Sequence, residues 1–291
     1  MDVFELLDSK YDIRKQVDGL NSMIFREKTL YNYGNYTLAY VFERNLLRSW
    51  TYSMGRLTFK ELLIDIDLYE YAPSEQNIKR IVNEKEAYLA LQLDYNIILY
   101  AKNHEKAFDD YNWDSMKFFE EVKKKISYIF DKTSLKAVKH PQENYYLIVP
   151  NDEKVKAAAE RTDIDIAFLL YNYTSPLIKG HYKKKREILK LIANKIEPLI
   201  KVYRKKYTNG LGSEIFNNLS NLLNNFEIRH SNLDPHIPNS YNEALIKYTT
   251  KEWEEIYDTT YQLILDSFLI DNYVNIYSSV IKRHMEKIKK S

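Results

Sequence analysis

Residues 228–236 of this chain hold the side chains whose types and spacing could act on a phosphate. Arg229 and His236 are separated by six residues, and a second histidine, His230, directly follows the arginine. A guanidinium is always charged and can bind two phosphate oxygens at once. An imidazole with an ordinary pKa of about 6.5 exchanges a proton near neutral pH. This trio could therefore bind a phosphate and move a proton without a metal ion.

Helices are predicted on both sides of this segment, which would place it at a helix-to-loop junction. Apolar residues between 215 and 226 recur at helical spacing, so a helix is expected to end shortly before Arg229. A loop that contains Pro235 follows, and a long amphipathic helix is predicted around Trp253.

Another helix is predicted upstream, over an apolar stripe that contains Pro198. We expect this proline to kink the helix, because it removes a backbone donor and crowds the preceding turn. Residues 208–212 are predicted to end the helix, and Ser213 is predicted to cap the next one.

The segment and its flanking helices resemble the HEPN superfamily over residues 182–275. Ribonuclease members of that superfamily carry an arginine, a polar residue and, after four to six intervening residues, a histidine. The resemblance implies that Arg229 and His236 form a catalytic pair, with His230 as the polar accessory. It also implies that the 2′-OH of RNA attacks the adjacent phosphate and leaves a 2′,3′-cyclic phosphate and a 5′-OH.

The resemblance further implies a homodimer, in which two such motifs face each other across a two-fold axis. A symmetric interface supplies a second set of catalytic groups without additional sequence. Proteins of this superfamily frequently act in bacterial antiviral defence or as toxins of toxin–antitoxin systems. By analogy, the same role is expected here.

Two other interpretations of the segment remain open. Cations near the C-terminus of a helix complement its dipole by about 0.3–1 kcal/mol, which would explain Arg229 and His230 structurally. The chain would then be a non-catalytic helical module that binds RNA or protein. An enzyme acting on a small phosphorylated ligand is a third possibility, but residues 210–212 lack the rest of a phosphate-binding loop.

A basic run next to Tyr182 is the predicted RNA-binding element, because cations bind the phosphate backbone. The run consists of Lys183, Lys184, Lys185 and Arg186. The alternative interpretation is a solvated start of a helix. The chain has no cysteine, and its other histidines lack metal-ligand spacing, so neither a metal nor another cofactor is expected.

The predicted fold class is all-α, a helical bundle with one small β-hairpin. Six glycines and seven prolines in 291 residues suit long helices with short connections. Two short β-rich runs, 135–138 and 145–149, flank a polar loop and predict the hairpin. Ser74 is the expected N-cap of a helix in the first half.

The changes in pattern predict three regions. Residues 1–132 form an N-terminal helical domain, residues 133–152 a β-hairpin connector, and residues 153–291 a HEPN-like helical domain. The N-terminal domain would sense a trigger, restrain the nuclease or bind a regulatory protein partner.

Composition limits the expected surroundings of the chain. A formal net charge of +2 gives no global basic field, so any RNA-binding surface must be a local patch. The 26 tyrosines fit a biased genome better than an RNA-stacking surface. The absence of cysteine suits a reducing cytosol, and no run of about 18 apolar residues occurs. A cytoplasmic protein without a membrane span is therefore expected.

Overall fold

The computed structural model describes residues 11–32, 34–53, 58–59, 61–62, 81, 83–236 and 241–288. This part of the chain is mostly helical with two small antiparallel hairpins, which confirms the predicted all-α class. Contacts divide the chain into two compact units. Unit 1 comprises Met1–Asn151 and Ser175–Leu177, and unit 2 comprises Asp152–Thr174 and Ile178–Ser291. The predicted helix start at Ser74 lies outside the described residues.

Unit 1 combines four helices and two hairpins among its described residues. Side chains cap several of these helices, as when Asn83 and Glu86 form a capping box. The elements are α1 (Ile13–Phe25), β1 (Lys28–Asn32), β2 (Gly34–Thr37), α2 (Leu38–Asn45), α3 (Glu84–Asn103), α4 (Ser115–Thr133), β3 (Leu135–Lys139) and β4 (Tyr146–Pro150).

The predicted hairpin is present as β3 and β4, with Leu135 paired to Pro150 and Lys139 to Tyr146. The hairpin hydrogen-bonds to α3. The Asn96 amide donates to the Tyr146 carbonyl oxygen at 2.9 Å and accepts from its N–H at 2.7 Å. These bonds satisfy backbone groups at an otherwise open strand edge. The hairpin is thus part of unit 1, whereas the sequence suggested a separate connector.

Unit 2 is built from five helices among its described residues, and their apolar faces share one core. These helices are α5 (Glu153–Ala159), α6 (Ile164–Tyr173), α7 (Tyr182–Lys206), α8 (Gly210–Asn225) and α9 (Thr250–Ile288). Pro198 lies inside α7, as expected, and the helix continues for two further turns beyond it.

The turn between α7 and α8 differs from the expectation. Asn209 occupies the N-cap position and α8 begins at Gly210, so the prediction that Ser213 caps this helix is wrong. Gly210 adopts a φ of +72°, a conformation that glycine tolerates and that lets the helix start earlier. Gly212 is equally constrained, because a Cβ there would lie 2.7 Å from Cγ of Tyr207.

Candidate functional site

A left-handed turn places Arg229 directly after α8. Glu227 adopts a φ of +59°, and its neighbour Ile228 is buried in the core of unit 2. The backbone N–H of Arg229 then donates to the Leu223 carbonyl oxygen at 2.9 Å. The end of α8 is thus tied to the following loop, which confirms the predicted helix-to-loop junction.

Asn232 organises this loop from inside. Its side chain is only 3% exposed; Oδ1 accepts from the Glu227 N–H at 2.9 Å and Nδ2 donates to the Asn224 carbonyl oxygen at 3.1 Å. Its own carbonyl oxygen accepts from the Asn242 N–H at 2.8 Å. The Glu227 carboxylate accepts from the Leu233 N–H at 2.5 Å. The described residues of the loop between α8 and α9 are therefore held by side-chain hydrogen bonds at several points.

The Arg229 guanidinium is held against α7. Nη2 forms an ion pair with Oε1 of Glu197, and Nη1 donates to Oδ1 of Asn224 at 3.2 Å. About a fifth of the Arg229 side chain (19%) remains exposed. A guanidinium has five N–H donors, so these two contacts leave donors for a phosphate.

Glu197 also binds Lys201, whose Nζ lies 3.0 Å from Oε1. The hydrogen bonds from Lys201 and then from Arg229 lower the pKa of Glu197 below its usual value. The carboxylate is therefore ionised at neutral pH, and it competes with any anion that approaches Arg229.

Both histidines of the segment are exposed. The backbone N–H of His236 donates to Oδ1 of Asp234 at 2.9 Å, which forms a tight turn before the imidazole. In the described part of the chain, no hydrogen bond joins His230 or His236 to the Arg229 guanidinium. The structure thus places the predicted trio in one loop without a hydrogen bond between the Arg229 guanidinium and either histidine.

The basic run is divided between two faces of α7. Lys183 and Lys184 are exposed, whereas Lys185 is only 6% exposed. Lys185 Nζ lies 2.6 Å from Oε1 of Glu254 and 2.7 Å from Oδ1 of Asp258 on α9.

Arg186 turns toward the loop after α8. It forms ion pairs with Glu187 at 2.9 Å and with Glu227 at 3.2 Å. Lys183 and Lys184 are thus the members of the run that are exposed and have no ion pair within the described residues.

Sequence reasoning missed the residues that hold Arg229 and its loop. Glu197 is distant in sequence from the motif, and its spacing in α7 gives no sign of the ion pair. Asn232 lies within the motif, and its amide in a loop after a helix is a recognisable signal for hydrogen bonds to the backbone.

Among the described residues, no group of three or more carboxylate or imidazole side chains could hold a metal ion. No described helix is long and apolar enough to cross a membrane. Comparison of the chain with protein-family models, with curated proteins and with solved structures found no match.

Proposed function

We propose that this chain is a metal-independent endoribonuclease of the HEPN type that acts as a homodimer in antiviral defence or as a toxin. The observation that carries this proposal is the fixed position of Arg229 at a helix-to-loop junction. Three hydrogen-bonded anchors hold it: Leu223 at its backbone, and Glu197 and Asn224 at its guanidinium. A catalytic cation is most effective when its geometry is set before the substrate arrives.

The proposed reaction uses the nucleophile that RNA itself carries. His236 removes the proton from a ribose 2′-OH while the O2′–P bond forms, and the exposed donors of Arg229 stabilise the anionic phosphorane. The P–O5′ bond then breaks, and a protonated imidazole of the second protomer returns a proton to the 5′ oxygen. The products are a 2′,3′-cyclic phosphate and a 5′-OH.

A second function, a non-catalytic helical module that binds RNA or protein, is favoured by one specific observation. The Arg229 guanidinium is engaged by Glu197, and this ion pair connects the loop to α7. If that connection is the whole role of Arg229, then the residue stabilises the fold and carries no chemistry.

One experiment separates the two functions. Purified wild type, His236→Ala and Arg229→Lys are incubated with mixed RNA in EDTA, and the product ends are analysed for 2′,3′-cyclic phosphate. The nuclease proposal expects chelator-resistant cleavage that falls by about 10²-fold or more in His236→Ala. Arg229→Lys keeps a charge for Glu197 but loses the forked geometry, so cleavage should fall while the melting temperature is nearly retained.

His230→Ala serves as the comparison within the same loop. As a substitution of the accessory residue, it should reduce cleavage less than His236→Ala does. Equal background cleavage by all four proteins would rule out the nuclease and support the binding module.

A further inference from the structure

We infer that one exposed ridge of α7 is a docking track for the phosphate backbone of single-stranded RNA. This basic ridge consists of Lys183, Lys190, Lys201 and Arg204. The inference rests on the proposed function, and it extends the binding surface from the beginning of α7 along the whole helix.

Charge is concentrated on α7 far beyond the average of the chain. The helix carries ten lysines and arginines and two glutamates in 25 residues. The whole chain has 43 basic and 41 acidic residues. A protein without a global basic field thus has one strongly basic helix, and such a patch attracts polyanions locally.

The spacing of the four cations places them along one side of the helix. Lys190 follows Lys183 by seven residues, Lys201 follows Lys190 by eleven, and Arg204 follows Lys201 by three. Each interval is close to a whole number of helical turns, so the side chains point in similar directions. All four are exposed. At a rise of about 1.5 Å per residue, the ridge is roughly 31 Å long.

Three of the four ridge cations lack an acidic partner among the described residues, as do Lys184 and Lys205 elsewhere on α7. In the described part of the chain, Lys183, Lys190 and Arg204 form no ion pair. Elsewhere on the helix, Lys185 is bound by Glu254, and Lys195 by Asp165 at 2.9 Å. The cations that stabilise unit 2 are therefore neutralised, whereas three of the four ridge cations are left with solvent counterions. The fourth, Lys201, pairs with Glu197.

The ridge leads directly to the candidate site. Glu197 follows Lys190 by seven residues on the same side of α7, and its carboxylate binds both Lys201 and Arg229. The Arg229 guanidinium is thus attached to the ridge between its two ends. An RNA strand whose phosphates bind along the ridge would bring one of its phosphodiesters next to Arg229.

RNA fits this surface better than an anionic membrane. An exposed apolar stripe of α7, formed by Leu191, Leu199 and Val202, lies to one side of the ridge. A membrane-binding helix needs an apolar face that is wide enough to insert, and three side chains over three turns are few. The ridge instead presents separated point charges and the forked donors of Arg229, which suit successive phosphates.

The test measures binding apart from cleavage. A labelled 2′-O-methyl oligoribonucleotide cannot undergo 2′-OH attack, and its affinity is measured by fluorescence anisotropy over a series of salt concentrations. The ridge variant combines Lys183→Gln, Lys190→Gln and Arg204→Gln, which leaves the Glu197 contacts intact. The matched control combines Lys117→Gln, Lys123→Gln and Lys124→Gln, because these residues are exposed on α4 of unit 1 and remove the same charge.

The ridge variant should lose at least about tenfold in affinity, and the slope of log K against log salt should become shallower by about 2. That change follows from the loss of three phosphate contacts on a single strand. The control should stay within about twofold of wild type. Equal behaviour of the two variants would overturn the inference, as would a ridge variant that loses binding to phosphatidylserine vesicles but not to RNA.

The inference and the proposed function can fail separately. Reduced binding by the ridge variant without any cleavage of RNA by wild type would support the docking track and contradict the nuclease. Cleavage of RNA by wild type with unchanged binding by the ridge variant would contradict the docking track alone.

Discussion

Lys185 and Lys190 lie five residues apart on α7, and the helix turns them toward opposite environments. Lys185 is 6% exposed and is enclosed by carboxylates of α9, whereas Lys190 is exposed without an ion pair in the described part of the chain. The two residues carry the same charge on the same helix, yet one connects helices and the other is free to bind a partner. The role of a lysine thus follows from its neighbours in space, and a basic run in a sequence does not define one surface.

The Lys185 cluster has the features of a structural ion pair. Beyond the two carboxylates, Tyr173 donates a hydrogen bond to Oδ1 of Asp258 at 2.8 Å, and the Gly180 N–H donates to Glu254 at 2.8 Å. The hydrogen bond from Lys185 lowers the pKa of Glu254, and burial, together with Asp258, raises the pKa of Tyr173. Glu254 is thus kept ionised and the Tyr173 phenol protonated at neutral pH.

The largest effect is expected when this cluster loses its cation. Lys185→Ala should lower the free energy of unfolding by about 2–3 kcal/mol, because two carboxylates lose their charged donor. Lys190→Ala, the matched control, should change it little, since surface substitutions away from such contacts have small effects. Urea unfolding monitored by circular dichroism measures both. Equal stabilities of the two variants would remove the distinction between the two faces of α7.

Local patterns account for what the sequence could predict. The hairpin of β3 and β4 and the junction after α8 both follow from periodicity and turn residues that are close in sequence. The hairpin of β1 and β2 was not predicted. None of the residues of β2 is fully buried, so its sequence lacks the regular apolar alternation that would predict a strand.

Contacts between distant residues account for what the sequence could not predict. Glu254 and Asp258 are 69 and 73 residues from Lys185, and no local pattern indicates this pairing. The same holds for Glu197 and Arg229, whose ion pair depends on how α7 and the loop pack. The types of the candidate site residues were therefore predictable, but the partners that decide their availability were not.

Asp94 is a buried carboxylate that has no cation beside it in the part of the chain that the structure describes, in contrast to the carboxylates bound by Lys185. It is fully buried on α3, and its hydrogen-bond partner among the described residues is the Asn21 amide, whose Nδ2 lies 3.2 Å from Oδ1 and 3.5 Å from Oδ2. Without a cation such as Lys185, burial raises its pKa well above the usual value. The folded state therefore binds a proton more tightly than the unfolded state does.

Asp94→Asn should stabilise the protein at pH 7 by about 1–2 kcal/mol. A raised pKa contributes stability below the unfolded value of about 4, and this contribution is lost as the pH rises through the folded value. The amide of Asp94→Asn cannot ionise, so the variant does not lose this stability as the pH rises. Its additional N–H needs an acceptor, which offsets part of the gain. Thermal unfolding at several pH values should show a difference that widens from about pH 4 upward. A constant difference would mean that Asp94 is ionised in the folded protein.

The smallest effect is expected at Glu197, which belongs to the exposed side of α7 but is engaged by Arg229. Glu197→Gln removes the carboxylate that competes with phosphate for the guanidinium, so affinity for 2′-O-methyl RNA should rise about three- to tenfold. Glu187→Gln is the matched control, because it changes the charge of the same helix equally while its partner is Arg186. If the more positive charge of α7 were the only cause, affinity would rise equally in both variants. A larger rise in Glu197→Gln, measured by anisotropy at constant salt, would instead show that the cations released from Glu197, which are Arg229 and Lys201, contact the RNA. Equal rises would place the Arg229 guanidinium among the structural cations with Lys185.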